Sequence, residues 1–329
     1  MSRNVLPGTA TAAATSTSTP TANATATDQL RLMAIAARLY HVHGTRQREI
    51  GERLGMSQAK VSRLLQQAEA TGLVETVVRV PDGIHAELED TIEAAYGVQE
   101  VHVVDVPDAL IDLAAPLGRA AAHLLSETVF GGAVVGFTSW SRTFQEMAQA
   151  LDTLPRSGTQ QVVEMLGDLG SPALQHNAAR ATQTFARALG AEPVYLRTPG
   201  VVATPALRDQ ALRDPYVRRA LDLLDDVDVA LVGLGPVDVH SNLAAGDSYF
   251  QPEQFEAAQS AGAAGQLNQR LLDAAGQPLR TPLDDLVIGS TLEQIRRAHR
   301  RVVVAGGPQK YAAMQAALTG GWVDLLVTD

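Results

Sequence analysis

Seven short and almost uninterrupted apolar runs punctuate the chain between residues 98 and 329: "VQEVHVVDV", "GAVVGFT", "QQVVEML", "AEPVYL", "VDVALVGLG", "RRVVVAGG" and "VDLLVTD". Stretches of helical character separate them: "DLAAPLGRAAAHLLSETV", "SRTFQEMAQALDTL", "NAARATQTFARALG", "PYVRRALDLL" and "PQKYAAMQAAL". A strand apolar on both faces must be covered on both, and regular alternation with helices supplies that cover. The pattern predicts a doubly wound, mostly parallel α/β sheet. Such sheets bind ligands beyond the carboxyl ends of their strands, so the residues that follow each run are the first candidates for a site.

Three strand ends stand out. After "VVGF" come Thr138, Ser139, Ser141, Arg142 and Thr143 at the start of a helix. Hydroxyls and free N–H groups at a helix N-terminus make an anion site, although Ser141 as an ordinary N-cap would give the same letters. In "VALVGLGPVD", Gly233 and Gly235 either let the backbone approach a ligand or simply turn the chain out of its strand. In "VVVAGGPQKYAAM", Gly306 and Gly307 turn the chain and Lys310 opens a helix, where a cation opposes the helix dipole unless an anion is near. Only Lys60 and Lys310 are lysines, against 24 arginines, so an anion partner and plain solvent exposure both remain open for Lys310. Gly167 and Asp168, behind "QQVVEML", complete the strand-end set.

The N-terminal quarter reads differently. Asp28 is placed to cap a first helix reaching about His43, and Thr45 to Leu54 form a second that buries Ile50 and Leu54. Gly55 turns the chain and Ser57 caps a third helix to about Thr71, with Val61, Leu64, Leu65 and Ala68 facing inward. Its other face carries Gln58, Lys60, Ser62 and Arg63, with Arg46 and Gln47 at the start of the preceding helix. These side chains can reach base edges and phosphates when a helix N-terminus enters the major groove. "LVETVVRV" alternates like a strand and would form a wing. The expected divisions are a disordered Ala/Thr/Ser-rich tail over 1–27, a winged helix-turn-helix over 28–80, a connecting helix over 81–97 ending at Gly97, and the α/β domain over 98–329.

Charge follows these divisions. Residues 28–80 hold eight Lys or Arg against five Asp or Glu, while residues 81–329 hold 17 against 31, so the net −10 lies in the larger part. A balance of +3 is weak for one DNA-binding module, but two or four copies on an oligomer multiply the phosphate contacts. The chain has no cysteine, which excludes disulfides, thiolate metal sites and cysteine nucleophiles and suits a reducing cytoplasm. His41 and His43 sit two apart and do not share a helix face, so no metal and no cofactor is expected. No run approaches the ~20 apolar residues of a membrane span, and no secretory signal is expected.

Taken together, "QREIGERLGMSQAKVSRLLQQAEATGLV", "GFTSWSRTFQEMAQAL", "LRDPYVRRALDLLDDVDVALVGLG", "GAAGQLNQRLLDAAGQPL" and "VVVAGGPQKYAAMQAALTGGWVDLLVTD" resemble the SorC/DeoR-type family of sugar-responsive transcriptional regulators. The resemblance implies a DNA-binding regulator whose operator binding is controlled by a small sugar, polyol or sugar phosphate, acting as a homodimer or homotetramer. It also implies an effector domain related to sugar-phosphate isomerases and deaminases that binds without turnover. Ser139, Ser141, Arg142 and Thr143 would cradle the effector, Gly233 and Gly235 would lie at the pocket floor, and Asp273 and Lys310 would close it. Two positions depart from the family pattern: Ser141 replaces a glycine, which favours an unphosphorylated ligand, and Gln266 stands where aspartate is common. The competing reading is an isomerase- or deaminase-like enzyme with a DNA-binding appendage, for which Asp168, His240 and Asp273 are the candidate bases. A purely structural oligomer would leave the glycine-rich strand ends unexplained.

Overall fold

The computed structural model describes residues 21–75, 83–107, 112–127, 132–152, 154, 158–238 and 250–329. The chain divides into two compact units, Met1–Arg79 and Val80–Asp329.

In the first unit, helix α1 (Thr21–Ala37) passes into a π-helical turn, Arg38–Val42, and is followed by α2 (Gln47–Leu54) and α3 (Gln58–Ala70). Asp28 therefore lies inside α1 instead of capping it, and the helix takes in residues 21–27, which composition assigned to the tail. The physical reason is local: "TANATAT" contains no breaker after Pro20, and alanine is the best helix former. Ile50, Val61, Leu64, Leu65 and Ala68 pack with Met33, Ala36 and Leu39 into one small core. Gly55 turns the chain at φ 67°, and the Ser57 hydroxyl accepts the Lys60 N–H at 3.3 Å, starting α3. A Cβ on Gly51 would lie 2.6 Å from the Met56 carbonyl oxygen, so only glycine lets this turn close on α2. Residues 76–80 of the expected wing lie outside the described residues.

The second unit opens with α4 (Ala86–Tyr96), ended by Gly97, then β1 (Glu100–Val103), α5 (Ala114–Glu127), β2 (Val134–Phe137), α6 (Arg142–Ala150) and β3 (Gln161–Glu164). It continues through α7 (Pro172–Leu189), β4 (Glu192–Val194), α8 (Pro205–Ala211), α9 (Pro215–Leu223), β5 (Val229–Leu231), β6 (Leu234–Gly235) and α10 (Pro252–Ser260). The remainder is β7 (Ala263–Leu267), β8 (Arg270–Asp273), α11 (Leu292–Arg297), β9 (Arg300–Val304), α12 (Tyr311–Thr319) and β10 (Leu325–Thr328). The main sheet has the order β1-β10-β9-β5-β2-β3-β4, and every neighbouring pair is parallel. The chain runs outward from β2 to β4, then returns to place β5 on the other side of β2, so the strand order reverses between β2 and β5.

Strand side chains alternate between two covering layers. Val135, Phe137, Leu231 and Val304 meet Leu117, Phe144, Met147 and Phe185 on one face. Val163, Ala230, Val303 and Leu326 meet Ile295, Ala313, Ala317 and Trp322 on the other. Phe137 lies 4.8 Å from Phe185 between ring centroids, and truncating either ring would cost about 3–5 kcal/mol. At the two sheet margins the outward N–H groups are accounted for. The N–H groups of Val101 and Val103 donate to the carboxylates of Glu93 and Glu89 on α4, each at 2.8 Å, while the opposite margin carries Pro193, which has no N–H. A second sheet, β6-β7-β8, is antiparallel and was not evident in the sequence.

Candidate functional site

Strands β2 and β5 diverge into different loops where the strand order reverses, which leaves a crevice beyond their carboxyl ends. A cavity of about 580 Å³ occupies it. Thr138, Ser141, Arg142 and Thr143 line it from β2 and α6, Gly233 and Gly235 from β5 and β6, and Gly306, Gln309 and Lys310 from the end of β9. Gln266, Asn268 and Gln269 enter from the β7–β8 hairpin, and Trp140, Leu166, Leu169 and Leu174 form an apolar wall.

The floor is a hydrogen-bonded clasp. The buried Thr138 hydroxyl lies 2.7 Å from Asn268 Oδ1 and 2.9 Å from the Leu231 carbonyl, and it accepts the Gly233 N–H at 3.0 Å. Asn268 also accepts from Gly233 at 3.3 Å and donates to Ser290 Oγ at 3.3 Å. Gly233 must be glycine, because a Cβ there would lie 2.7 Å from the Thr138 methyl carbon. The Ser141 hydroxyl turns back to accept the Phe144 N–H at 3.4 Å, so it caps α6. The first N–H groups of a helix have no intrahelical partner, and those of Arg142 and Thr143 stand at this wall.

Charge in the cavity is uneven. Arg142 is paired with Asp112, whose carboxyl is held below its ordinary range by the Ala114 N–H first and by Arg142 second. Lys310 has no hydrogen-bond or ion-pair partner among the described residues, and burial pushes its ammonium below the ordinary lysine value. A charged, part-buried group without a partner is expensive and marks a place where an anion would be welcome.

The crevice thus unites Thr138, Ser141, Arg142, Thr143, Gly233, Gly235 and Lys310. Other expected residues lie elsewhere. Ser139 is 1% exposed and stands behind the wall, its hydroxyl unpartnered and its carbonyl accepting from Gln145 at 2.8 Å. Gly167 is a packing glycine: a Cβ would meet the Thr198 carbonyl oxygen at 2.5 Å. Asp168 pairs with Arg197 at 3.3 Å, and its carboxyl is raised chiefly by burial, with Arg197 opposing. Asp273, expected to close the pocket, instead locks its own turn by accepting the N–H groups of Ala275 and Gln277 at 2.9 and 2.8 Å. His240 lies outside the described residues. Sequence reasoning missed Asn268, Gln269 and Gln309; the pair Asn268-Gln269 between "AAGQL" and "RLLD" was the available hairpin signal.

In the first unit Gln58, Lys60 and Arg63 are exposed at the start of α3, Ser62 is half-buried, and Ser57 serves as the cap. Arg46 is exposed and Gln47 half-buried at the start of α2. No cluster of three metal-ligating side chains occurs among the described residues, and none of their helices is long and apolar enough to cross a membrane.

Residues 84–329 match the Sugar-bind family, a sugar-binding domain, and residues 30–83 match the MarR family. The chain is 31% identical over 304 residues to the deoxyribonucleoside regulator of Bacillus subtilis (strain 168), covering 92% of this chain and 96% of that one. It is 24% identical over 308 residues to the sorbitol operon regulator of Klebsiella pneumoniae, with the same coverage of 92% and 96%. The crystal structure of full-length SorC from Klebsiella pneumoniae superposes with a TM-score of 0.67 at 23% identity, covering 92% of this chain and 96% of that one. A helix-turn-helix unit joined to a sugar-binding domain over nearly the whole chain leaves one assignment: the protein belongs to the SorC/DeoR-type family of sugar-responsive transcriptional regulators.

Proposed function

We propose that the effector of this regulator sits in the crevice between β2 and β5, with an anionic group at Lys310 and the N-terminus of α6. The observation that carries the reading is Lys310, a part-buried ammonium without a partner among the described residues, lining the same cavity as Arg142 and Thr143. A sugar phosphate satisfies it best, because phosphate suits both a point cation and free helix N–H groups. Ser141, spent on capping Phe144, leaves that approach open. The relatives regulate deoxyribonucleoside and sorbitol genes, so phosphorylated pentoses and polyols are the first compounds to try.

At the other end of the chain, α3 enters the major groove with Gln58, Lys60, Ser62 and Arg63 at base edges and phosphates, while Arg46, Gln47 and Ser57 contact the backbone. The modest charge of one such unit calls for a dimer or tetramer on DNA in the cytoplasm. Effector binding then favours one arrangement of the paired units over another, a population shift limited by the effector's differential affinity. Asp112, one of the cavity's carboxylates, is engaged by the Ala114 N–H and by Arg142 and held below its ordinary range, which favours binding over turnover at that group.

Thermal stabilisation across sugars, polyols and their phosphates tests this, since a ligand that binds the folded state raises the melting temperature. Phosphorylated compounds should act and their free counterparts should not. Lys310→Ala should abolish the response while leaving the DNA affinity of effector-free protein unchanged. An unaltered response in that variant would remove the crevice from the mechanism.

A further inference from the structure

The β7–β8 turn holds Asn268 at φ 47° and Gln269 at φ 65°, the only non-glycine residues with positive φ among the described residues. A two-residue hairpin with both central residues left-handed is a type I′ geometry, for which Asn-Gly is the favoured pair. Asn268 fits, and its side chain is engaged in the Thr138 clasp. Gln269 does not fit, because glycine would take this backbone without strain. Its side chain lines the cavity, and its amide oxygen is buried without a partner. Nearby on β7, Gln266 is 5% exposed and also lines the cavity. Its Nε2 donates to the Pro236 carbonyl at 2.8 Å, which fixes the amide orientation and leaves Oε1 buried and unpartnered.

Buried polar atoms nearly always have hydrogen-bond partners, and two orphans on one cavity wall point to a partner that arrives from solution. We propose that Gln266 and Gln269 form an uncharged, hydroxyl-reading subsite of the effector pocket, Gln269 keeping a strained backbone in exchange for specificity. The inference rests on the effector reading above and adds the class of ligand: a molecule carrying at least two hydroxyls besides its anionic group. The Gln266 oxygen accepts from one hydroxyl. The Gln269 amide, free at its oxygen, engages a second. Both groups are neutral, so this end selects hydroxyls over carboxylates or ammonium groups. A deoxy analogue would leave a buried acceptor unpaired, which penalises it more than loss of an apolar contact would.

The test is titration calorimetry with ribose 5-phosphate, 2-deoxyribose 5-phosphate, glucitol 6-phosphate and inorganic phosphate, on the full chain and on Gln269→Gly, Gln266→Met and Lys310→Ala. The natural chain should bind at least one polyhydroxylated phosphate at least ~10-fold more tightly than inorganic phosphate. Gln269→Gly and Gln266→Met should each erase most of that preference and leave the affinity for inorganic phosphate unchanged. Gln269→Gly should also raise the melting temperature without ligand, which a merely structural glutamine would not do. Retention of the preference in both variants would overturn the proposal. Failure of the reading beneath it looks different: no compound of the panel then binds the natural chain, or Lys310→Ala leaves all affinities unchanged.

Discussion

Removing one oxygen from the clasp under the crevice, by Thr138→Val, tests whether the β2 end, the β5 end and the β7–β8 hairpin form one unit. The substitution keeps shape and deletes a buried hydroxyl that donates to Asn268 or Leu231 and accepts from Gly233 at 3.0 Å. A lost neutral hydrogen bond is worth about 0.5–1.5 kcal/mol, and a buried group left without its partner costs about 1–3 kcal/mol. Gly233 keeps a longer bond to Asn268 at 3.3 Å, so the total should fall near 2 kcal/mol, roughly the middle of that range. For a unit of this size that is a drop in melting temperature of about 4–8 °C. Both tryptophans, Trp140 and Trp322, belong to the second unit, so intrinsic fluorescence follows its unfolding without interference from the first. A cycle with Asn268→Gly, which preserves the left-handed backbone, should show coupling of about 1 kcal/mol between the two positions. A shift below about 1 °C, or full additivity in the cycle, would refute the clasp as a mechanical unit.

Three further outcomes follow from the same geometry. Arg63→Ala should weaken operator binding by about 1–3 kcal/mol in a fluorescence-anisotropy titration without altering the melting temperature, since the side chain is exposed. Lys310→Met should raise the melting temperature of effector-free protein in buffered thermal scans. Because burial lowers the folded-state pKa of Lys310, its cost to stability is complete below that pKa and fades as pH rises toward 10.5, so the gain of the variant should shrink over that window. Asp273→Ala should lower stability by unlocking its turn, yet leave effector affinity unchanged in calorimetry; a large loss of affinity would return Asp273 to the pocket.

The parallel sheet was legible because its strands are buried on both faces and therefore write themselves as apolar runs: all of its strands, from Glu100–Val103 to Leu325–Thr328, lie within those runs. The turn from Gly55 through Ser57 into α3 was equally plain, since left-handed backbone and capping each demand a residue type. The antiparallel sheet was hidden because "AAGQL" and "RLLD" are short, mixed in character and joined by a turn without glycine. Carboxylates at strand ends were the hardest to place. Asp168 and Asp273 look alike in sequence, and only tertiary structure shows one turned to Arg197 and the other onto its own loop. Conversely nothing in the letters singles out Gln269, whose positive φ and unpartnered oxygen exist only in the folded chain.

The treatment of the sheet margins reaches beyond this unit. A terminal strand normally presents a row of open donors on which another chain can polymerise. Here Glu89 and Glu93 occupy the outward donors of β1, and Pro193 removes one from β4. A strand arriving at either margin therefore finds the outward N–H groups of β1 taken and one of β4 missing, which blunts edge-to-edge growth of the sheet. Replacing Glu89 and Glu93 with alanine should reopen those donors and make the protein more prone to aggregate.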